Sequence, residues 1–159
     1  MANRRFVSGL LGWIWLSLSA GLVGAHFQPG AWYDDLVKPD WTPPGAVFPL
    51  VWTTLYVLMG VAAFRVWWRH GFRNARLALG LFVLQLVLNA AWSWLFFGLH
   101  AIGAAFAGIN LLWATIVATF LAFRPRDVLA ARLLLPYLIW VGFAAVLNFT
   151  IWRLNSGAA

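Results

Sequence analysis

The side chains in this chain that could do chemistry are indoles, phenols and amides rather than acids or thiols. Phe48, Trp52, Tyr56 and Gly60 follow one another at steps of four, with Pro49 and Thr53 alongside. Gln85, Asn89, Trp92, Ser93 and Phe96 repeat the mixture, and Tyr137, Trp140, Ala144, Leu147, Asn148 and Ile151 repeat it again at steps of three and four. On helices these spacings put each set on one face. Stacked indoles offer π faces and a large contact area, and a few amides can fix orientation, so the combination suits a flat, apolar ligand. The same amides serve equally as hydrogen bonds between helices, because a polar group in hydrocarbon needs a partner.

The elements that must position these faces are membrane spans. An apolar content of 64% and a mean hydropathy of +0.83 exceed what a soluble domain of 159 residues carries. Five windows, 6–25, 46–64, 77–99, 101–123 and 133–152, contain no Asp, Glu, Lys or Arg. Each has about the length that a bilayer core requires. The expected fold is therefore an all-α membrane protein, a bundle of five transmembrane helices in a single domain over 1–159. The charge-free windows leave no intramembrane proton relay and no acid/base pair, and the lack of cysteine removes disulfides and thiolate sites. No metal site is expected.

A net charge of +7 does not point to nucleic acid, because the basic residues lie between the windows rather than on a soluble face. With five spans, Arg4, Arg5, Arg65, Arg69, Arg73, Arg76, Arg124, Arg126 and Arg132 fall at one end of the bundle, and Lys38 and Arg153 at the other. The positive-inside rule then places the N-terminus in the cytoplasm and favours a bacterial cytoplasmic membrane, leaving an outer membrane open. These arginines read as topology signals and contacts to membrane lipid. The opening apolar run reads as the first span rather than a cleaved leader, since it is long and contains Trp13 and Trp15. Its glycines, and Gly103, Ala104, Ala107 and Gly108 in the fourth window, provide small surfaces for close helix packing or dimerisation.

Between the first two windows, 27–45 forms a long structured loop whose prolines argue against any regular helix. Trp32, Tyr33 and Trp41 give it too much aromatic mass for a passive connector, although an interfacial aromatic belt would use the same residues. The loop reads as a lid over the aromatic faces. His26 and His100 lie at the same end, an arrangement that axial haem ligation would use and that interfacial histidines adopt without it.

The run Trp32-Tyr33, Leu36, Lys38-Pro39, Trp41, Pro43-Pro44, Phe48-Pro49, Trp52 and Leu55-Tyr56 closely resembles the signature of the tryptophan-rich sensory protein and translocator protein family, also called the peripheral benzodiazepine receptor family. Gln85, Asn89, Trp92 and Phe96-Phe97 agree, as do Pro136-Tyr137-Leu138, Trp140, Leu147-Asn148 and Trp152-Arg153. The resemblance implies a five-helix bundle, often a homodimer, that binds protoporphyrin IX and isoquinoline-carboxamide or benzodiazepine-type molecules beneath the first loop. The corresponding ligand-binding residues here are Trp32, Trp41, Trp52, Tyr56, Asn89, Trp92, Phe96, Trp140, Phe143, Ala144 and Asn148. Trp52 and Trp140 match tryptophans implicated in light-dependent oxidative breakdown of porphyrin, and would be the catalytic pair if that photochemistry is real. Whether the chain is an enzyme stays open. No cofactor is required; porphyrin enters as a ligand.

Cholesterol fits less well, because the sterol-recognition segment needs a tyrosine where Val146–Arg153 carries Phe149 and Thr150. The expected function is tetrapyrrole binding and sensing. The alternative is transport of porphyrins or other small apolar ligands across the membrane, against which stands the lack of an inverted repeat or paired broken helices.

Overall fold

A computed structural model describes residues 2–27 and 29–157, and every regular element among them is helical. The order is α1 (Ala2–Ala25), a short α2 (Ala31–Asp35), a long α3 (Val47–Ser93), a π-helical turn (Trp94–Gly98), α4 (Ile102–Phe123), α5 (Val128–Leu133) and α6 (Leu135–Asn155). Helix α3 contains two of the five spans. Its continuity breaks at Gly71, whose φ of 66° and ψ of 176° lie in territory that only glycine enters cheaply. The Tyr56 hydroxyl reaches Asn89, and Met59 touches Gln85. Both pairs are centred on residues 72–73, so the arms 47–70 and 72–93 run antiparallel. The fold is an all-α membrane protein, and its outward side chains, among them Leu22, Leu50, Leu77, Leu111 and Ile139, form the apolar surface that lipid covers.

The helices outrun the charge-free windows at the arginine-rich end: α1 takes in Arg4 and Arg5, and both arms of α3 continue through Arg65–Arg76. Absence of charge marks only the part that crosses hydrocarbon, whereas backbone hydrogen bonding carries the helix on into the headgroup layer.

The expectation of no helix in 27–45 is corrected by α2. Ala31–Asp35 fits between Pro29 and Pro39, so each proline stands outside the helical turn and bounds it instead of breaking it. Pro49 and Pro136 sit within the first turns of α3 and α6, where a missing N–H costs little.

The core runs through Met59, Val66, Phe82, Ile109, Leu112, Ile116, Phe123, Tyr137 and Val141. Against α3, α1 packs at glycine distance: a Cβ on Gly60 would lie 2.5 Å from the Ile14 Cα, and one on Gly21 would lie 2.4 Å from the Tyr56 ring. In α4, Gly103 accommodates the Trp152 ring and Gly108 faces Leu95, so these small residues serve packing within the chain.

At the arginine-rich end Asp127 caps α5 by accepting the Ala130 N–H at 3.0 Å. Its carboxylate is buried and pairs with Arg65 at 3.0 Å and Arg69 at 3.2 Å. Burial alone would raise the Asp127 pKa, but the Ala130 N–H and the two guanidinium groups outweigh it and hold the carboxyl below its ordinary value.

Candidate functional site

The structure gathers the sequence-derived site residues into two neighbouring groups that share the region between the first arm of α3, the end of its second arm and α6. In the deeper group Trp52 stacks on Tyr56, with ring centroids 5.6 Å apart, and meets the Tyr137 ring edge-on at 6.1 Å. The Tyr56 hydroxyl donates to Asn89 Oδ1 at 2.5 Å, and Asn89 Nδ2 donates to the Tyr137 hydroxyl oxygen at 3.2 Å. Asn89 is 2% exposed, so its amide is occupied in tying three spans together. Of the two uses the sequence allowed for this amide, the interhelical one holds.

The second group lies nearer the lid. Trp92 Nε1 donates to Asn148 Oδ1 at 3.0 Å, and Asn148 Nδ2 donates to the Ile102 carbonyl at 3.1 Å. Phe96 is buried beside Trp92 in the π turn and receives the edges of Trp32 and Tyr33 from the lid. A π turn widens the backbone by one residue and is frequent at functional sites. Here it brings Phe96 and Phe97 together under α2.

Trp140, Phe143 and Ala144 occupy α6 between the groups. Phe48 meets Trp140 at 5.8 Å, Trp140 lies 5.4 Å from Phe143, and Trp41 of the lid, 47% exposed, meets Phe143 at 5.9 Å. Ala144 is half-buried against the main core.

The cleft associated with this arrangement is a groove of about 620 Å³ between the first arm of α3 and α6, open on its lipid-facing side. Its α3 wall is Leu50, Val51, Thr54, Leu55 and Leu58, and its α6 wall is Pro136, Ile139, Trp140 and Phe143. Of the residues assigned from sequence, only Trp140 and Phe143 line it directly. The lining is almost wholly apolar. Trp140 Nε1 is buried and has no acceptor in the protein, and among the described residues it is the one indole nitrogen both fully buried and unpartnered. A buried donor without a partner costs about 1–3 kcal/mol unless something else accepts its proton. The groove's volume falls within the range of about 300–1,000 Å³ that ligand pockets usually have.

Two anchors hold the lid. Asn155 at the end of α6 accepts the Val37 N–H at 3.1 Å and donates to the Val37 carbonyl at 2.9 Å. Trp32 stacks flat on His100, with centroids 4.0 Å apart, and His100 adopts a φ of 55° in the short connection into α4. Thus His100 supports the lid, while His26 faces the Phe27 ring at 5.4 Å. Lys38 Nζ is held by the carbonyls of Tyr33, Asp34 and Leu36, closing the end of α2, and lies 4.6 Å from the centre of the Tyr33 ring. Burial, followed by the nearby Asp34 charge, raises the Tyr33 hydroxyl pKa above its ordinary value.

Sequence reasoning missed the aliphatic walls, Asn155 and the importance of Tyr137. Leu50, Thr54 and Leu58 do recur at steps of four beside the tryptophan stripe, as Pro136, Ile139 and Phe143 recur beside Trp140. Nothing in their chemistry distinguishes them from lipid-facing side chains.

A sequence model of the TspO/MBR family matches residues 13–153. The chain is 44% identical over 140 residues to Protein CrtK of Rhodobacter capsulatus, covering 87% of each chain. It is 46% identical over 148 residues to Tryptophan-rich protein TspO of Chlorobaculum tepidum, covering 89% of this chain and 92% of that one. Against Translocator protein of Homo sapiens the identity is 42% over 140 residues, 85% and 83% of the respective chains.

Proposed function

The chain belongs to the TspO/MBR family and is an integral membrane protein, and from that premise we propose that it binds protoporphyrin IX in the α3/α6 groove and acts as a tetrapyrrole sensor. The observation that carries this reading is the apolar groove walled by Trp140 and Phe143, with the unpartnered Trp140 N–H buried behind that wall. A porphyrin presents an apolar plane to Leu58, Ile139 and the Trp140 ring, and a rotation of that ring on binding brings its buried N–H to the porphyrin's polar edge. Phe143 belongs both to the groove and to the lid contact with Trp41, so occupancy is felt at the lid surface where a partner can read it. The N-terminus and the arginine-rich end face the cytoplasm in this reading, and isoquinoline-carboxamide-type molecules compete for the same groove.

Light-dependent oxidative breakdown of the bound porphyrin is a second reading. It is supported by Trp52 lying in ring contact with both Tyr56 and Tyr137, a set of oxidisable rings behind the groove. Of the remaining assigned residues, Phe143 lines the groove, Trp32 and Trp41 belong to the lid, and Tyr56, Asn89, Trp92 and Asn148 tie the surrounding helices together. Transport has less support, because the helical break in α3 at Gly71 lies at the end of the spans and not at their middle.

Titration of purified protein with protoporphyrin IX in the dark, followed by tryptophan fluorescence, should give saturable quenching. Thr54→Phe, which fills the groove without adding an indole, should weaken binding by about tenfold or more. Linear, non-saturating quenching, or equal affinity in Thr54→Phe, would overturn the assignment. Repeating the titration under illumination separates the second reading, since Trp52→Phe with Trp140→Phe should then abolish loss of porphyrin absorbance.

A further inference from the structure

A second cavity lies at the opposite end of the molecule. It measures about 470 Å³ and is lined by Arg5 of α1 together with Trp67, Trp68, Gly71 and Phe72 at the bend of α3. The bend creates it: the positive φ at Gly71 turns the chain, leaving Trp67 and Phe72 in ring contact at 5.8 Å on either side. Trp67 also lies against α1, where the absence of a Cβ on Gly9 makes room for its ring. Phe6 braces Trp68 edge-on at 5.3 Å.

The charge around this cavity is one-sided. Of the four acids in the chain, only Asp127 lies at this end, against nine arginines. Asp127 is already paired with Arg65 and Arg69. Among the described residues Arg5 enters no ion pair, so its counter-charge comes from outside the protein. Directly beside it Trp68, Phe72 and Phe6 are 42%, 60% and 40% exposed, forming an apolar surface continuous with the lipid-facing side of the bundle.

We propose that this cavity is a binding site for one anionic phospholipid. The phosphate sits on Arg5, the glycerol region lies against Trp67 and Trp68, and an acyl chain follows Phe72 and Phe6 into the bilayer. A free phosphate would gain nothing from the aromatic walls, and a zwitterionic lipid would bring its own cation to Arg5. The chemistry therefore selects a ligand that is both anionic and tailed. This site is separate from the α3/α6 groove and does not depend on what that groove binds.

The test is native mass spectrometry of the full chain in detergent, titrated with dioleoyl phosphatidylglycerol, with dioleoyl phosphatidylcholine or with inorganic phosphate. One saturable phosphatidylglycerol is expected, with phosphatidylcholine bound about fivefold more weakly. Arg5→Gln should lower phosphatidylglycerol affinity by about fivefold, in line with the effect of one arginine near an anionic surface. Arg124→Gln, which removes the same charge elsewhere at this end, should leave it unchanged. Trp68→Leu should weaken both lipids. Equal binding of the two lipids, equal losses in Arg5→Gln and Arg124→Gln, or displacement of phosphatidylglycerol by millimolar phosphate would each overturn the proposal. Circular dichroism of each variant establishes that the helices are intact, and Arg5 is exposed, so its replacement leaves the core untouched.

Discussion

Two seams of the bundle are built on opposite principles. Along α1/α3 the backbones approach closely because Gly60 and Gly21 present no side chain to Ile14 and Tyr56. Along α3/α6 the backbones stay apart, and the gap is spanned by rings, Trp52 to Tyr137 and Phe48 to Trp140. The difference teaches where a membrane bundle can hold a ligand. In lipid, helices associate through packing and hydrogen bonds rather than a hydrophobic drive, so the seam with small residues is rigid and the ring-bridged seam can be opened by rotating side chains.

The comparison is broken most severely by Gly60→Ala. The added methyl would meet the Ile14 Cα at 2.5 Å and its N at 2.9 Å, and backbone cannot move aside as a side chain can. Overpacking of this kind costs about 3 kcal/mol, and thermal unfolding in detergent should show a large drop in Tm. Thr54→Phe adds more atoms to the other seam, yet should leave Tm nearly unchanged because it enters open space. Equal drops in the two variants would erase the distinction between the seams.

Next in size is Asn89→Ala. It strands the Tyr56 hydroxyl in the core and deprives Tyr137 of a donor, a loss of about 2 kcal/mol. The expected result is lower stability with porphyrin binding retained once the protein is folded, since Asn89 is absent from the groove wall.

The paired variants Trp92→Phe and Trp140→Phe separate the roles of two tryptophans that look alike in sequence. Trp92 Nε1 is bonded to Asn148, so its replacement should cost about 1 kcal/mol of stability. Trp140 Nε1 has no acceptor, and its replacement removes a buried unsatisfied donor. That variant should be no less stable but should bind porphyrin about three- to tenfold more weakly in the fluorescence titration. A reversed pattern would move the site away from α6.

How much of this was legible in the sequence follows from the same physics. Charge-free windows revealed the five spans because hydrocarbon excludes charge, and steps of three and four revealed the inward faces because helices have a fixed period. Periodicity cannot distinguish an amide satisfied by a neighbouring helix from one free for a ligand, so the sequence leaves both uses open for Asn89 and Asn148, and the structure shows both bonded within the bundle. Leu50, Leu58 and Ile139 stayed invisible because a groove wall and a lipid-facing surface ask for the same side chains. The helix within the lid was missed because prolines were counted for the loop as a whole, whereas each acts only on its own turn.

The open seam is fastened at its lid end by Asn155 on Val37, and α5, which leads into α6, is fastened to α3 by Asp127 on Arg65 and Arg69 at the arginine-rich end. The second fastening predicts a specific acid sensitivity. Because the Asp127 pKa is lower folded than unfolded, its contribution is fully present above the ordinary carboxylate value of 3.8 and is lost as pH falls through the folded value. Tm should therefore respond little to this group between pH 7 and 5, and the contribution should fall away below about pH 4. Arg69 is half exposed, and solvent screening limits the effect to about 1 kcal/mol. Asp127→Asn keeps an oxygen to cap α5 but removes the charge, so it should lower Tm at pH 7 and flatten the acid limb. An acid limb as steep in Asp127→Asn as in the parent would show that this ion pair carries none of the acid sensitivity, and would leave the junction of α3 with α5 held by packing alone.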